Sequence, residues 1–278
     1  MNKCLVTKLK GTVNDISLLR LGEMRISVSG NTNGKTASGL YFITNNPVKL
    51  EIIGNGYFTD INNSNNLGKS MTINSNTEST VYLSNGTYDV AILDKYSLLS
   101  FSDVSGKYLS FNLEDFKWSK KMKSIAVFQS DLIGDIANLG ELELLESIIF
   151  YCKNIFGDVS SFKNMFNLNK VILHNSNITG DLASLPAKTR YFSSYMNTGT
   201  FTWGTRSPDS NIIALSIQTV LANVDKMLID QAKCKAAFKT NDESDFKLIS
   251  VIGTRTSASD AAVETLQGKG YTVSITPA

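Results

Sequence analysis

The triplets Gly134-Asp135-Ile136, Gly157-Asp158-Val159 and Gly180-Asp181-Leu182 recur at intervals of 23 residues. Apolar residues hold the same frame around them. The first unit carries Met122, Ile125, Val127, Leu132, Ile136 and Leu139. The second carries Leu145, Ile148, Phe150, Ile155, Val159 and Phe162, and the third Leu168, Val171, Leu173, Ile178, Leu182 and Leu185. A weaker fourth unit keeps Tyr191, Met196, Phe201 and Trp203, with Trp203 standing where glycine falls, and Phe111 to Phe116 aligns ahead of the first. A unit this short cannot bury its apolar positions alone. It must stack on its neighbours, and the two ends of the stack must be closed by other structure.

The pattern L-x-x-L-x-L-x-x-(N/S/K)-x-L-x-G-x-L-x-x-L resembles the leucine-rich repeat, in the longer form with a second L-x-G-x-L half. The resemblance covers about a third of the chain, within residues 106–205. It implies a solenoid in which x-L-x-L is a parallel strand and the glycine permits a tight turn beyond it. Ser130, Lys153 and Ser176 stand where such repeats carry asparagine, which weakens the expected asparagine hydrogen-bond ladder.

Residues 1–105 read as a β-rich, sandwich-like domain suited to attachment or oligomerisation. Period-2 alternation marks Met24-Ile26-Val28, Met71-Ile73, Val81-Leu83 and Tyr88-Val90-Ile92. Turn residues separate these runs at Asn31 to Gly34, Asn45-Asn46-Pro47 and Gly54-Asn55-Gly56. Asn85-Gly86, between Val81-Tyr82-Leu83 and Tyr88-Asp89-Val90, predicts a type I′ hairpin. Asp60 to Gly68 reads as a polar loop. Residues 206–278 read as an α/β cap. Ile217, Val220, Leu221, Val224 and Leu228 predict a helix over 216–237, and Phe246 to Ile252 a strand. Ser257 to Asp260 caps a helix running to Gln267, and Tyr271 to Ile275 is a final strand. The fold class is therefore α+β.

Composition narrows the chemistry. Lys+Arg 27 against Asp+Glu 25 gives a net charge of +2, which calls for neither nucleic acid nor an anionic membrane. The basic cluster Lys117 to Lys123 reads as a solvated edge. No apolar run is long enough for a membrane span, and the first residues lack the apolar core of a secretory signal. Cys4, Cys152 and Cys234 are too scattered for a disulfide scaffold or zinc site, and His174 is the lone histidine. A Cys152–His174 pair is conceivable, but a small buried thiol and a surface imidazole explain these residues better. The repeated Asp135, Asp158 and Asp181 fit turn capping better than metal binding. The sequence thus predicts no enzyme, no cofactor and no metal.

The strand positions between the core residues carry more information. They form one column on the expected concave face, Ala126, Ile149, Ile172 and Tyr195, and a second, Phe128, Tyr151, His174 and Asn197. Phe128, Ile149, Tyr151, Ile172, His174 and Tyr195 make this face unusually apolar and aromatic. Such a surface binds a partner, is covered by another domain or subunit, or is exposed incidentally.

The opening Lys3 to Val13 with Leu21 to Ile26, and the ending Gly253 to Asp260 with Gly270 to Val273, are similar to virion fibre and appendage proteins of crAss-like phages of gut Bacteroidales. The resemblance implies a structural virion protein, a head or tail fibre component made in the host cytoplasm. It would assemble with other virion proteins as a dimer or trimer and display a surface to a host protein or glycan. The alternative is a leucine-rich-repeat adhesin or protein- or glycan-binding module at a bacterial cell surface.

Overall fold

The computed structural model describes the strand backbones within 23–92, then residues 98–103, 109–117, 119–128, 130–210, 212–234 and 247–278. In chain order the first nine strands are β1 (Glu23–Val28), β2 (Ser38–Thr44), β3 (Val48–Gly54), β4 (Phe58–Asp60), β5 (Ser70–Ile73), β6 (Glu78–Leu83), β7 (Gly86–Ile92), β8 (Leu98–Asp103) and β9 (Leu109–Asn112). The repeat adds β10 (Ser124–Val127), β11 (Asp131–Asp135), β12 (Ser147–Tyr151), β13 (Asn154–Asp158), β14 (Lys170–His174), β15 (Asn177–Asp181), β16 (Tyr191–Ser194) and β17 (Phe201–Thr202). The last segment holds β18 (Ala214–Val220), helix α1 (Val224–Lys233), β19 (Leu248–Ile252), helix α2 (Asp260–Gly268) and β20 (Thr272–Thr276).

The molecule is mixed and strand-rich, with few helices. Its strands form two sheets. The larger runs β20-β19-β18-β16-β14-β12-β10-β8-β2-β6-β4, and the smaller β17-β15-β13-β11-β9-β1-β7-β3-β5. Odd and even strands fall in different sheets from β1 to β18, so the chain changes sheet at each connection. This corrects the hairpin expected at Asn85-Gly86. β6 pairs with β2 and β4, whereas β7 pairs with β1 and β3 in the other sheet. Both expected strands form, with Gly86 already the first residue of β7, but tertiary pairing overrides the local turn preference. The predicted loop at Asp60 to Gly68 falls, after Asp60, outside the described residues, and so does the opening Lys3 to Val13.

Both sheets switch from antiparallel to parallel at one place. β8 is antiparallel to β2 and parallel to β10; β9 is antiparallel to β1 and parallel to β11. Both sheets therefore continue from antiparallel into parallel strands; the smaller ends at β17, and the larger continues from β16 into β18.

One apolar core, from Phe101 to Tyr271, fills the space between the layers. Repeat positions Ile125, Val127, Leu132, Ile136, Ile148, Ile155, Val171 and Ile178 are fully buried in it. Phe101, Phe111 and Phe116 pack edge to face beneath the first parallel strands, with centroids 4.9–6.1 Å apart. Each inward side chain contributes about 1.5–3 kcal/mol through burial.

The Gly-Asp step ties each unit to the next. Asp135, Asp158 and Asp181 each begin a short 3-10 turn and accept the backbone N–H two residues on, at 2.8, 2.8 and 2.9 Å. That is the capping role the sequence suggested. Gly157 and Gly180 hold φ of +128° and +116°, and a Cβ at either would lie 2.4 Å from the aspartate Oδ1 of the preceding unit. In the fourth unit this place belongs to Gly204, whose N–H donates to Asp181 Oδ1 at 2.7 Å. Trp203, aligned there by sequence, is fully buried and donates its indole N–H to Asp230. The fourth unit is out of phase with the strict repeat, and the alignment missed this.

The C-terminal segment differs from expectation at one element. Residues 214–220 form a strand rather than the first half of a helix. Leu215 and Ile217 point inward and Ser216 and Gln218 outward, a period of two that a helical reading of Ile217 and Val220 conceals. Asn223, with φ of +64°, breaks the extended chain and α1 follows. β19, α2 and β20 lie where the sequence put them. Asp225 at the start of α1 accepts from the Thr256 N–H and hydroxyl and from the Ser259 hydroxyl, tying the starts of the two helical segments together.

Arg206 closes the 3-10 turn Leu182–Ser184. Its guanidinium donates to the carbonyls of Leu182, Leu185, Ala183 and Pro186 at 3.0, 3.1, 3.3 and 3.4 Å, and to Ser210 Oγ. Burial pushes its pKa down to about 10, so it remains charged at neutral pH.

Candidate functional site

Parallel strands in register stack equivalent side chains about 4.8 Å apart. Along the outer face of the larger sheet, register aligns Tyr41, Ser102, Ala126, Ile149, Ile172, Ser193, Ser216, Ser250 and Ser274. A second column, two residues earlier, aligns Ser100, Ser124, Ser147, Lys170, Tyr191 and Ala214. Two isoleucines and an alanine thus form an apolar island among serines. Lys170 stands in the second column next to Tyr191.

Beyond the island lies an aromatic strip. Phe128 and Tyr151 have ring centroids 5.7 Å apart, Tyr151 and His174 meet edge to face at 4.5 Å, and His174 and Tyr195 lie 5.7 Å apart. Phe128, Tyr151 and Tyr195 are 44, 37 and 44 % exposed. Hydrophobic rings are held at a surface here by strand geometry. The residue preceding each ring, such as Phe150 or Leu173, points inward and locks the strand, so its neighbour must point out. His174 Nε2 lies 3.0 Å from Ser193 Oγ, and partial desolvation lowers its pKa. The imidazole is thus kept neutral near pH 7.

The structure therefore brings Phe128, Ile149, Tyr151, Ile172, His174 and Tyr195 onto one face. One placement changes. Tyr195 belongs beside His174 in the aromatic column, since Ile172 pairs with Ser193 and the Asn175 N–H donates to the Tyr195 carbonyl. The fourth strand enters two residues out of the 23-residue phase. Asn197, placed by sequence on the outer face, is buried instead. It accepts from the Ile178 N–H at 2.7 Å and donates to the Ile178 and Gly199 carbonyls. It takes the buried place that Ser130 and Ser176 hold in earlier units, whereas Lys153, aligned with them by sequence, is exposed. Asp103 anticipates it upstream, its carboxylate accepting from the Phe128 and Ser130 backbone N–H groups and the Ser130 hydroxyl. The serine columns and Tyr41 were overlooked in the sequence, although Ser102, Ser124 and Ser147 alternate with core residues.

The arrangement does not suit nucleophilic catalysis. Cys152 is buried with its thiol 3.7 Å from the Val127 carbonyl, and burial pushes its pKa up to about 12. A thiol in that state supplies almost no thiolate at neutral pH. His174, the one conceivable partner, engages Ser193 on the outer face. Among the described residues no three His, Cys, Asp or Glu side chains converge on a possible cation site. Three of the four lysines of the 117–123 cluster meet acids, Lys117 Glu114, Lys120 Glu141 at 2.6 Å and Lys123 Glu146 at 3.4 Å. They form no unbalanced basic stripe. No described helix is long and apolar enough to cross a membrane. What the strip can do is stack against, and hydrogen-bond to, an uncharged partner.

No protein-family model matches the sequence, and no curated protein matches it.

Proposed function

We propose that this chain is a leucine-rich-repeat solenoid that works by binding and assembly, without enzymatic activity, as a fibre component of a phage virion. The carrying observation is the strip Phe128-Tyr151-His174-Tyr195 with the Ile149–Ile172 island beside it, an uncharged aromatic surface on a rigid sheet. Aromatic anchors surrounded by small polar residues are the usual composition of an interface centre. The virion setting rests on the resemblance of the two chain ends to appendage proteins, and there the strip contacts another particle protein.

The test is antibody labelling of purified particles from a host that produces the chain, for wild type and for Ile149→Asp. Labelled wild-type particles, with a folded Ile149→Asp protein left out of them, are the expected result. Unlabelled particles overturn the virion role. Equal incorporation of the variant removes the strip as the contact. A second reading, a surface adhesin for a protein or glycan, is favoured by the serine hydroxyls and tyrosines around the rings, which suit a neutral polyhydroxylated ligand. It predicts unlabelled particles and glycan binding that Tyr151→Ala abolishes.

A further inference from the structure

β20 is the last strand in the order of the larger sheet, and among the described residues only β19 pairs with it. The Thr272 N–H donates to the Lys247 carbonyl and the Thr276 carbonyl accepts from Gly253, so the groups of Thr272, Ser274 and Thr276 face β19. Alternation then turns the N–H and carbonyl groups of Val273 and Ile275 to the open edge. Proteins usually blunt such an edge with charge, an internal proline or a bulge. Thr272-Val273-Ser274-Ile275-Thr276 has none of these. The core is also open here, since Val273, Ile275, Ala262 and Val263 pack against it while only partly buried.

We propose that this edge pairs with the same edge of a second copy of the chain, antiparallel about a two-fold axis through Ser274. The strand reads nearly the same in both directions. The axis sets Thr272 opposite Thr276, Val273 opposite Ile275 and Ser274 opposite Ser274. Val273 and Ile275 become hydrogen-bonded pairs, each exchanging both main-chain bonds with its partner, and Ser274 becomes the close, non-hydrogen-bonded pair. Hydroxyls meet hydroxyls on the outer face, and branched apolar side chains meet over the open core. The ladder stops by itself. The next pair would be Tyr271 with Pro277, but proline has no N–H and the Tyr271 N–H is already given to the Leu266 carbonyl. Such a pair is isologous and closed. The aromatic strips of both copies then lie on one side of a continuous sheet.

The test is the mass of the full chain by light scattering over a range of concentrations, with substitutions at exposed Ser274. Wild type is expected to be a dimer. Ser274→Lys sets two like charges opposite each other and should be monomeric, as should Ser274→Glu, while an equimolar mixture of the two recovers the dimer. Ser274→Cys should close a disulfide between copies under mild oxidation, because Cα atoms of such a pair lie within bridging range. The strip is a separate surface, so Ile149→Asp leaves this dimer intact. A monomeric wild type, or a dimer that survives Ser274→Lys, overturns the proposal.

Discussion

Alanine at position 157 is expected to damage the fold far more than loss of a glycine in a loop ordinarily does. The added Cβ would lie 2.4 Å from Asp135 Oδ1 and 2.7 Å from Ile136 Cγ1, at a residue with φ of +128°. Ile136 is fully buried and cannot retreat, so the Asp135 side chain must leave. Its cap on the Ala137 N–H, 2.8 Å long, then goes with it. An L-residue forced into a glycine-type backbone region costs about 1–3 kcal/mol. A lost carboxylate cap costs about 0.5–2 kcal/mol. Together they predict a loss of about 2–5 kcal/mol, or a fall in Tm of roughly 3–9 °C for a chain of this size. Urea titration followed by circular dichroism measures it. Asp135→Ala alone should lose only the cap, and the double variant should be less destabilised than the two singles added, because the cap is lost once. Gly268→Ala is the control, having nothing within 4 Å of its Cβ. Strict additivity, or a Gly157→Ala cost as small as that of Gly268→Ala, would refute the interlock between successive units.

Arg206→Met should cost about 3 kcal/mol or more in the same titration, because it strands several buried carbonyls at once, and Arg206→Lys should recover little, since a single ammonium cannot reach the same fan of acceptors. The buried thiol makes stability fall in alkali. Above the ordinary thiol value of 9.0 the unfolded chain releases this proton, while the folded chain holds it to about 12. Unfolding is therefore favoured increasingly between those values, by up to about 4 kcal/mol, and Cys152→Ala should remove that part of the decline. At pH 8 a thiol reagent should leave Cys152 untouched until the protein unfolds.

Much of this structure is legible in the repeat. Ile125, Val127, Leu132, Ile136 and their equivalents declare which way each strand faces, and that alone places Phe128, Tyr151 and His174 outside. The errors gather where the period breaks. Tyr195 changes column and Asn197 turns inward because the fourth strand is offset, and a count of 23 residues has no means of registering a shift of two. Gly204 was missed in favour of Trp203 for the same reason. Residues 214–220 misled because Ile217, Val220, Leu221 and Val224 fit a helix as well as a strand over that short stretch. Only pairing with β16 and β19 decides between them. Asn85-Gly86 has the chemistry of a tight turn, but no local signal says that its flanking strands join opposite sheets. The capping aspartates were legible because capping is local. The serine columns were not, because serine outside a core is unremarkable until register aligns it.

Each repeat aspartate lies beneath the glycine of the unit that follows, so the stack has a direction and a fixed increment. Loss or duplication of 23 codons within it leaves the next glycine over the next aspartate, with the core still in phase. The outer face therefore changes its reach in whole steps, one ring and about 4.8 Å at a time. A gene of this kind can lengthen or shorten that face by recombination alone, without inventing a new side chain.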